Sequence, residues 1–105
     1  MKNIQYWHMQ KEYPGFTGFE WDQGNINKNQ KHKVEFTECE QIFFNEPIII
    51  LDDPKHSVAE MRYAAFGVTD NDRKLVIIYT LRNKKLRVIS ARDMSRKERS
   101  FYEQF

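Results

Sequence analysis

The stretch Leu75-Val76-Ile77-Ile78-Tyr79-Thr80-Leu81-Arg82-Asn83-Lys84-Lys85-Leu86-Arg87-Val88-Ile89-Ser90-Ala91 decides the fold. It holds two runs rich in β-branched and aromatic residues, Leu75 to Thr80 and Leu86 to Ala91, joined by the turn residues Arg82-Asn83-Lys84. Upstream, Asp70-Asn71-Asp72 marks another turn, and Glu60 to Val68 reads as a further strand. Three consecutive strands make a meander. Before them, Ile48-Ile49-Ile50-Leu51 is apolar at every position, as in a strand buried on both faces, and Asp52-Asp53-Pro54 ends it. Downstream, Ser95-Arg96-Lys97-Glu98 has the hydroxyl-to-carboxylate spacing of a capping box and opens a helix to about Gln104. Near the other end, Phe19-Glu20-Trp21 is a strand candidate and Asp22 a helix N-cap. The helix that follows, Gln23 to Lys33, has Gly24 and three asparagines against it and only Ile26 as a strong apolar anchor. Thr37-Glu38-Cys39-Glu40 matches a second capping box, with Cys39, Ile42 and Phe43 at helical spacing behind it, and Asn45-Glu46-Pro47 closes that helix. The expected class is α+β: an antiparallel sheet of about four strands, with two N-terminal helices and one C-terminal helix packed on it.

A chain of 105 residues forms one domain, not two. With 40% apolar and 30% charged residues it is globular. No apolar run approaches the roughly 20 residues that span a bilayer. Residues 1–18 mix polar and aromatic side chains without an apolar core, so no secretory leader is expected. Cys39 is the only cysteine, which excludes an intrachain disulfide and fits a reducing cytoplasm.

The net charge of +2 conceals an uneven distribution. Residues 1–60 carry six basic and ten acidic side chains, and residues 61–105 carry eleven and five. The basic half, densest from Arg82 to Arg99, fits two readings: a field for nucleic-acid phosphates, or a solvated helix and hairpin.

The chemistry open to these residues is narrow. The four glycines are scattered, so there is no phosphate loop; one cysteine supports no zinc cluster; no G-x-S-x-G elbow occurs, and no cofactor or metal is expected. Arg62 and Glu60 stand two apart on the expected strand, hence on one sheet face. Arg82 and Arg87 flank the last hairpin and Arg92 closes the last strand. Guanidiniums near one face suit a phosphodiester, because each can hold two oxygens and stabilise the charge of a pentacoordinate transition state. The other reading of Glu60 and Arg62 is pairing with neighbours on a wet face. His56 can trade protons with a ribose hydroxyl or leaving oxygen, or can simply bond Asp53 or Ser57. His32, at the end of the first helix, suits a capping role, and Lys31 is phosphate-facing or solvated. Trp21 and Tyr79 read as core or sheet-face residues before they read as base-stacking ones.

Together these segments resemble the BrnT family. Phe19-Glu20-Trp21-Asp22 and Lys31-His32-Lys33-Val34 are similar to its opening W-D, polar helix and K-H-G-V. Glu40-Gln41-Ile42-Phe43-Phe44-Asn45 is similar to its second helix, and His56-Ser57 with Glu60 and Arg62 to its H-S-x-x-E-x-R. Gly67 falls where the family has a glycine after that strand. Thr80-Leu81-Arg82, Arg87-Val88-Ile89-Ser90-Ala91-Arg92 and Ser95-Arg96-Lys97-Glu98-Arg99 with Tyr102 match T-x-R, R-x-I-S-A-R and S-R-K-E-R-x-x-Y. The resemblance covers residues 19–105, preceded by an N-terminal extension, residues 1–18, in which Tyr6-Trp7 and Tyr13-Pro14-Gly15-Phe16 point to packing. Lys33 departs from the family's glycine. Either that helix ends in a left-handed residue, where lysine costs about 1 kcal/mol against glycine, or it ends differently, the simpler option.

The resemblance implies a toxin with a RelE-like fold that cleaves RNA without a metal by attack of the 2′-hydroxyl on the adjacent phosphate, and so blocks translation and growth. It implies a BrnA-like ribbon-helix-helix antitoxin and binding of promoter DNA by the complex. The carried-over candidates are Lys31, His32, His56, Glu60, Arg62, Arg82, Arg92 and Glu98. Arg62 and Arg92 would hold the scissile phosphate, Arg82 and Arg87 flanking phosphates, and Glu60 or His56 would assist removal of the hydroxyl proton. Lys31 and His32 would bind RNA, and Glu98 would orient a strand arginine. The alternative function is a non-catalytic RNA- or protein-binding module, or a partner that acts only through the antitoxin.

Overall fold

The computed structural model of the chain describes residues 4–6, 13–30, 32–54 and 59–105. Its strands are β1 (Ile4–Tyr6), β2 (Gly18–Phe19), β3 (Ile48–Asp52), β4 (Tyr63–Val68), β5 (Lys74–Arg82) and β6 (Lys85–Asp93), and its helices are α1 (Gln23–Gln30), α2 (Phe36–Gln41) and α3 (Arg96–Tyr102). Among the described residues they build one sheet in the order β1-β3-β4-β5-β6-β2. β3 to β6 pair antiparallel, whereas β1 lies parallel to β3 and β2 parallel to β6. The expected α+β class and the β4–β5–β6 meander are present. The expected strand at Phe19-Glu20-Trp21 is realised as the two-residue β2, shifted by one residue; β1 was not expected and, at three residues, is too short for alternation to show in the sequence.

Side-chain alternation divides the core into two layers. Ile48, Ile50, Tyr63, Ala65, Leu75, Ile77, Tyr79, Leu86, Val88 and Ala91 face the side covered by Val34, Cys39, Ile42 and Phe43. Ile49, Phe66 and Val76 face the other side, where Met94 and Tyr102 close over them. β3 thus buries successive isoleucines on opposite faces, as its apolar run implied. The segment before β2 joins the first layer: Tyr13 meets Tyr63 edge-on at 5.6 Å, and Phe16 meets Phe43 at 5.7 Å. Gly67 lies within β4, where an added Cβ would stand 2.9 Å from Cβ of Ile42, so the strand can approach the end of α2 only without a side chain. Burial pushes the Cys39 thiol up to about 12, which makes it a packing group and no nucleophile.

Local signals were realised with two differences. Ser95 caps α3 as expected, accepting from the Glu98 N–H at 3.2 Å while Glu98 accepts from the Ser95 N–H at 2.8 Å. Asp22 caps α1 by accepting from the Asn25 N–H at 3.2 Å. The second helix does not start at Thr37. Its N-cap is Glu35, whose N–H donates to Glu38 at 3.0 Å. Glu40, the expected box partner of Thr37, instead accepts from the Trp21 indole N–H at 2.8 Å.

The second difference concerns the chain between α1 and α2, where Lys33 adopts φ 58°, in the left-handed region. The helix itself ends at Gln30, so Lys33 is not its last residue, yet three positions on, the chain still takes the left-handed turn there. Lys33→Gly is expected to raise stability by about 0.5–1 kcal/mol, because glycine enters this region without Cβ strain. A higher urea midpoint at unchanged slope checks it. The hairpin between β5 and β6 uses the same region at Asn83 (φ 52°) and Lys84 (φ 64°), which matches a two-residue turn to the twist of its strands.

Candidate functional site

On the second face of the sheet, β5 presents Val76, Ile78, Thr80 and Arg82, and β6 presents Arg87, Ser90 and Arg92. A register shift at Ile78/Tyr79 leaves Ile89 between the pairs Tyr79–Val88 and Ile78–Ser90, and so keeps Arg87 and Arg92 on one face although five residues separate them. Met94 and Tyr102, flanking and on α3, cover the Val76 end of this face. The hairpin end holds the polar residues.

There Arg82 grips Glu60 with both sides of its fork, Nη2 to Oε1 at 3.1 Å and Nε to Oε2 at 3.3 Å. Thr80 donates its hydroxyl to the carbonyl of Met61 at 2.8 Å, and the Asp53 N–H donates to the carbonyl of Arg62 at 2.9 Å. Glu60 and Arg62 were expected on a strand, but β4 starts at Tyr63, so both ride on the segment that enters it. A shared strand therefore does not align them; Arg82 holds Glu60, Thr80 holds the Met61 carbonyl between them, and Asp53 holds the Arg62 carbonyl. The hydrogen bond from Arg82 holds the Glu60 carboxyl below its usual range against the effect of burial, helped by the charges of Arg82 and Arg62 and by the Thr80 hydroxyl. Glu60 is consequently an anion at neutral pH with two arginines beside it.

Arg87 is differently employed. Nη1 donates to Glu20 at 3.0 Å and to Asp22 at 2.8 Å, and Nη2 donates to Asp22 at 3.1 Å. Its side chain is only 15% exposed, so it ties the start of α1 to β6 more than it faces solvent. The W-D pair is explained by this tie: Asp22 binds Arg87 and caps α1, while Trp21 packs against the first layer and bonds Glu40. Tyr79 is buried in that layer between Phe43 and Tyr63.

Arg92 pairs with Glu98 through Nη1 to Oε1 at 2.7 Å and Nη2 to Oε2 at 2.9 Å. Arg92 stands opposite Val76 and Arg87 opposite Thr80, four steps away, or about 13 Å along the strand. The structure thus gathers Glu60, Arg62 and Arg82 at the hairpin end and holds Arg92 with Glu98 beside α3. Arg92 pushes the Glu98 carboxyl down to about 2, against burial and with help from the Ser95 N–H. A depressed carboxylate stabilises the fold above its ordinary value of 4.5 and loses that contribution as pH falls through about 2. Glu98→Gln is therefore expected to flatten the acid loss of stability between about pH 5 and pH 2, as read from urea midpoints.

His32 is exposed and adjoins Lys33, whose carbonyl accepts from Arg73 at 3.0 Å, at the far end of β5 from Arg82. Lys31 and His56 lie outside the described residues. The sequence reading missed Thr80 as a contributor and missed Glu20 and Asp22 as partners of Arg87. The available signal was the Thr80–Arg82 spacing, which puts both on one face. Lys84, Lys85, Arg96 and Lys97 are exposed around the two arginine groups and supply a positive surface. Among the described residues no group of three or more His, Cys, Asp or Glu side chains is placed to hold a metal, and no helix is long and apolar enough to cross a membrane.

Residues 21–98 match the family described as ribonuclease toxin, BrnT, of type II toxin-antitoxin system. The chain belongs to this family. The matched span contains every paired arginine of the site, together with Glu20's neighbour Asp22, Glu60 and Glu98. No curated protein matches the chain. As a BrnT-family chain it is the toxin of a type II toxin-antitoxin pair, with RNA as substrate and an antitoxin as partner.

Proposed function

We propose that this chain is a metal-independent endoribonuclease that cleaves RNA through its 2′-hydroxyl, thereby blocking translation and growth in the cytoplasm. The observation that carries this reading is the Glu60–Arg82 pair beside Arg62 at the open end of the sheet. In the proposed step the Glu60 carboxylate accepts the 2′-hydroxyl proton, O2′ bonds to phosphorus, and the bond from phosphorus to the 5′-oxygen breaks. That oxygen leaves with a proton from His56 or water. The products are a 2′,3′-cyclic phosphate and a 5′-hydroxyl end.

Arg62 and Arg82 hold the nonbridging oxygens and stabilise their growing charge. The Glu60 carboxylate retains lone pairs beyond the two that Arg82 occupies. A phosphate that draws the Arg82 fork toward itself also removes the main cause of the low Glu60 pKa, so substrate binding makes Glu60 a better base. Arg92, oriented by Glu98, holds a phosphate further along the strand, and Lys31, His32 and the exposed lysines guide the RNA. Arg87 contributes through the field it adds and through the tie to α1.

The antitoxin in this reading is a BrnA-like ribbon-helix-helix protein, and the complex of the two binds promoter DNA. The test of catalysis is incubation of purified total RNA with the purified chain in EDTA. Cleavage to 2′,3′-cyclic phosphate ends is expected. RNA left intact in EDTA but cut when a divalent ion is restored overturns metal independence. RNA left intact under both conditions and also on translating ribosomes favours the binding-module alternative, in which affinity falls gradually with each removed charge and with salt.

A further inference from the structure

Thr80 is 1% exposed, one of the few buried polar side chains among the described residues. The other two have local duties: Asn25, in the first turn of α1, accepts from the N–H of its cap Asp22, and Thr69 accepts from the Arg73 N–H in the turn before β5. Thr80 has none. Its hydroxyl reaches 19 residues back in the chain, to the carbonyl of Met61. Two positions further along the same face, Arg82 takes the side chain of Glu60. The segment Glu60-Met61-Arg62 is thus fastened to β5 at two points, by main chain and by side chain. The β4 ladder, which begins at Tyr63, does not hold Glu60 or Met61.

We propose that Thr80 is a positioning residue for RNA cleavage: its buried hydroxyl fixes the main chain of Met61 and thereby sets Glu60 and Arg62, the two residues that flank it, against the reacting phosphate. This rests on the reading that Glu60 and Arg62 act on RNA. A buried hydroxyl that loses its acceptor, or an acceptor that loses its donor, lets the segment shift. A shift of about 1 Å at a reacting group costs about 10²-fold in rate. Binding of RNA, which is spread over many phosphates, is affected far less. The spacing of Thr80 and Arg82 then has a physical reason: alternation puts both on the face of the segment, Thr80 on the Met61 carbonyl with the Glu60 carboxylate also in reach of its hydroxyl, and Arg82 on that carboxylate.

The experiment compares the full-length parent with Thr80→Val, Thr80→Ser, Glu60→Gln and Arg62→Ala on a fluorescent single-stranded oligoribonucleotide in EDTA, or on translating ribosomes if the parent cleaves only there. Thermal unfolding of each variant is measured alongside. Thr80→Val keeps the shape and removes the bond. It is expected to lower kcat by about tenfold to hundredfold with little change in KM. Thr80→Ser restores the hydroxyl and is expected to restore the rate. In a Glu60→Gln background, Thr80→Val is expected to add little further loss, because both act on one step. A folded Thr80→Val that cleaves like the parent, or a Thr80→Ser that stays as slow as Thr80→Val, overturns the proposal. If Thr80→Val does not fold, Thr80→Ala, which cannot crowd its neighbours, replaces it under the same criteria. Parent-like cleavage by both Glu60→Gln and Arg62→Ala overturns the underlying reading and the role of Thr80 with it. Loss in those two with an unaffected Thr80→Val overturns the role of Thr80 alone.

Discussion

Glu60→Gln is expected to cleave RNA about 10²- to 10⁴-fold more slowly than the parent, the range for removing a general base, while it unfolds at nearly the same temperature. The two side chains have the same shape. Glutamine can still accept one bond from Arg82, but it cannot take a proton from a ribose hydroxyl. Stability changes little because the pair lies near the surface, with Arg82 47% exposed, where solvent screens the attraction. Arg62→Ala is expected to cost about 10²- to 10³-fold through lost charge stabilisation. Arg82→Ala adds a pH signature. Arg82 is the main reason the Glu60 carboxyl is held low, so its removal moves the acid limb of the pH–rate profile upward, toward the ordinary carboxylate range. A folded Glu60→Gln with the parent's rate in the oligoribonucleotide assay eliminates Glu60 as the base.

Arg73→Met is expected to have the largest effect on stability among single surface-near substitutions, about 2 kcal/mol, or a fall of about 10 °C in Tm. Arg73 joins three parts of the fold at once. Its Nε and Nη2 hold Asp93 at the end of β6 at 2.7 and 3.1 Å, and its Nη1 holds Glu38 on α2 at 3.0 Å and the Lys33 carbonyl at 3.0 Å. With methionine the stem still packs, but the carboxylates of Glu38 and Asp93 lose their common cation. The effect is smaller than for a fully buried pair because Asp93 is 60% exposed. The pH dependence has a definite sign. Arg73 is the main cause that holds the Asp93 carboxyl below its ordinary range, so the parent loses stability as pH falls through the depressed value, and the variant loses less. Differential scanning calorimetry at neutral and acidic pH measures both effects. An unchanged Tm shows that the three contacts are exchanged for water without cost.

Much of the fold was legible because its determinants are local. The runs around Asn83-Lys84 are rich in β-branched and aromatic residues, and two such runs joined by turn residues make a hairpin. Ser95 and Glu98 are three residues apart, and that spacing closes a capping box wherever it occurs. The isoleucines of β3 announced burial on both faces. For the site, composition and spacing left a wet, solvated face as an equal reading, and it was the resemblance of the motifs around Glu60, Arg62, Arg82 and Arg92 to a known family that nominated them.

Grouping those residues is a different matter. Glu20 and Asp22 meet Arg87 across 67 and 65 residues, and Glu38 meets Arg73 across 35. Nothing in a linear pattern ranks one distant carboxylate above another. The second helix is capped by Glu35 instead of Thr37 because Glu38 accepts from the Glu35 N–H, while Glu40, the partner Thr37 would need, is claimed by the distant Trp21. Lys33 is held in a left-handed conformation by a loop whose carbonyl Arg73 secures from another element. By itself the sequence determined the fold class, the run of elements from β2 to α3 and a basic second half, since local patterns and composition carry these; it did not show β1, nor the shared face of Arg87 and Arg92, which the register shift at Ile78/Tyr79 sets. Only the tertiary structure decided which arginine meets which carboxylate, and hence that Glu60, Arg62 and Arg82 form one group while Arg87 and Arg92 are held elsewhere, because those contacts depend on sheet register and strand order, which bring together residues far apart in the chain.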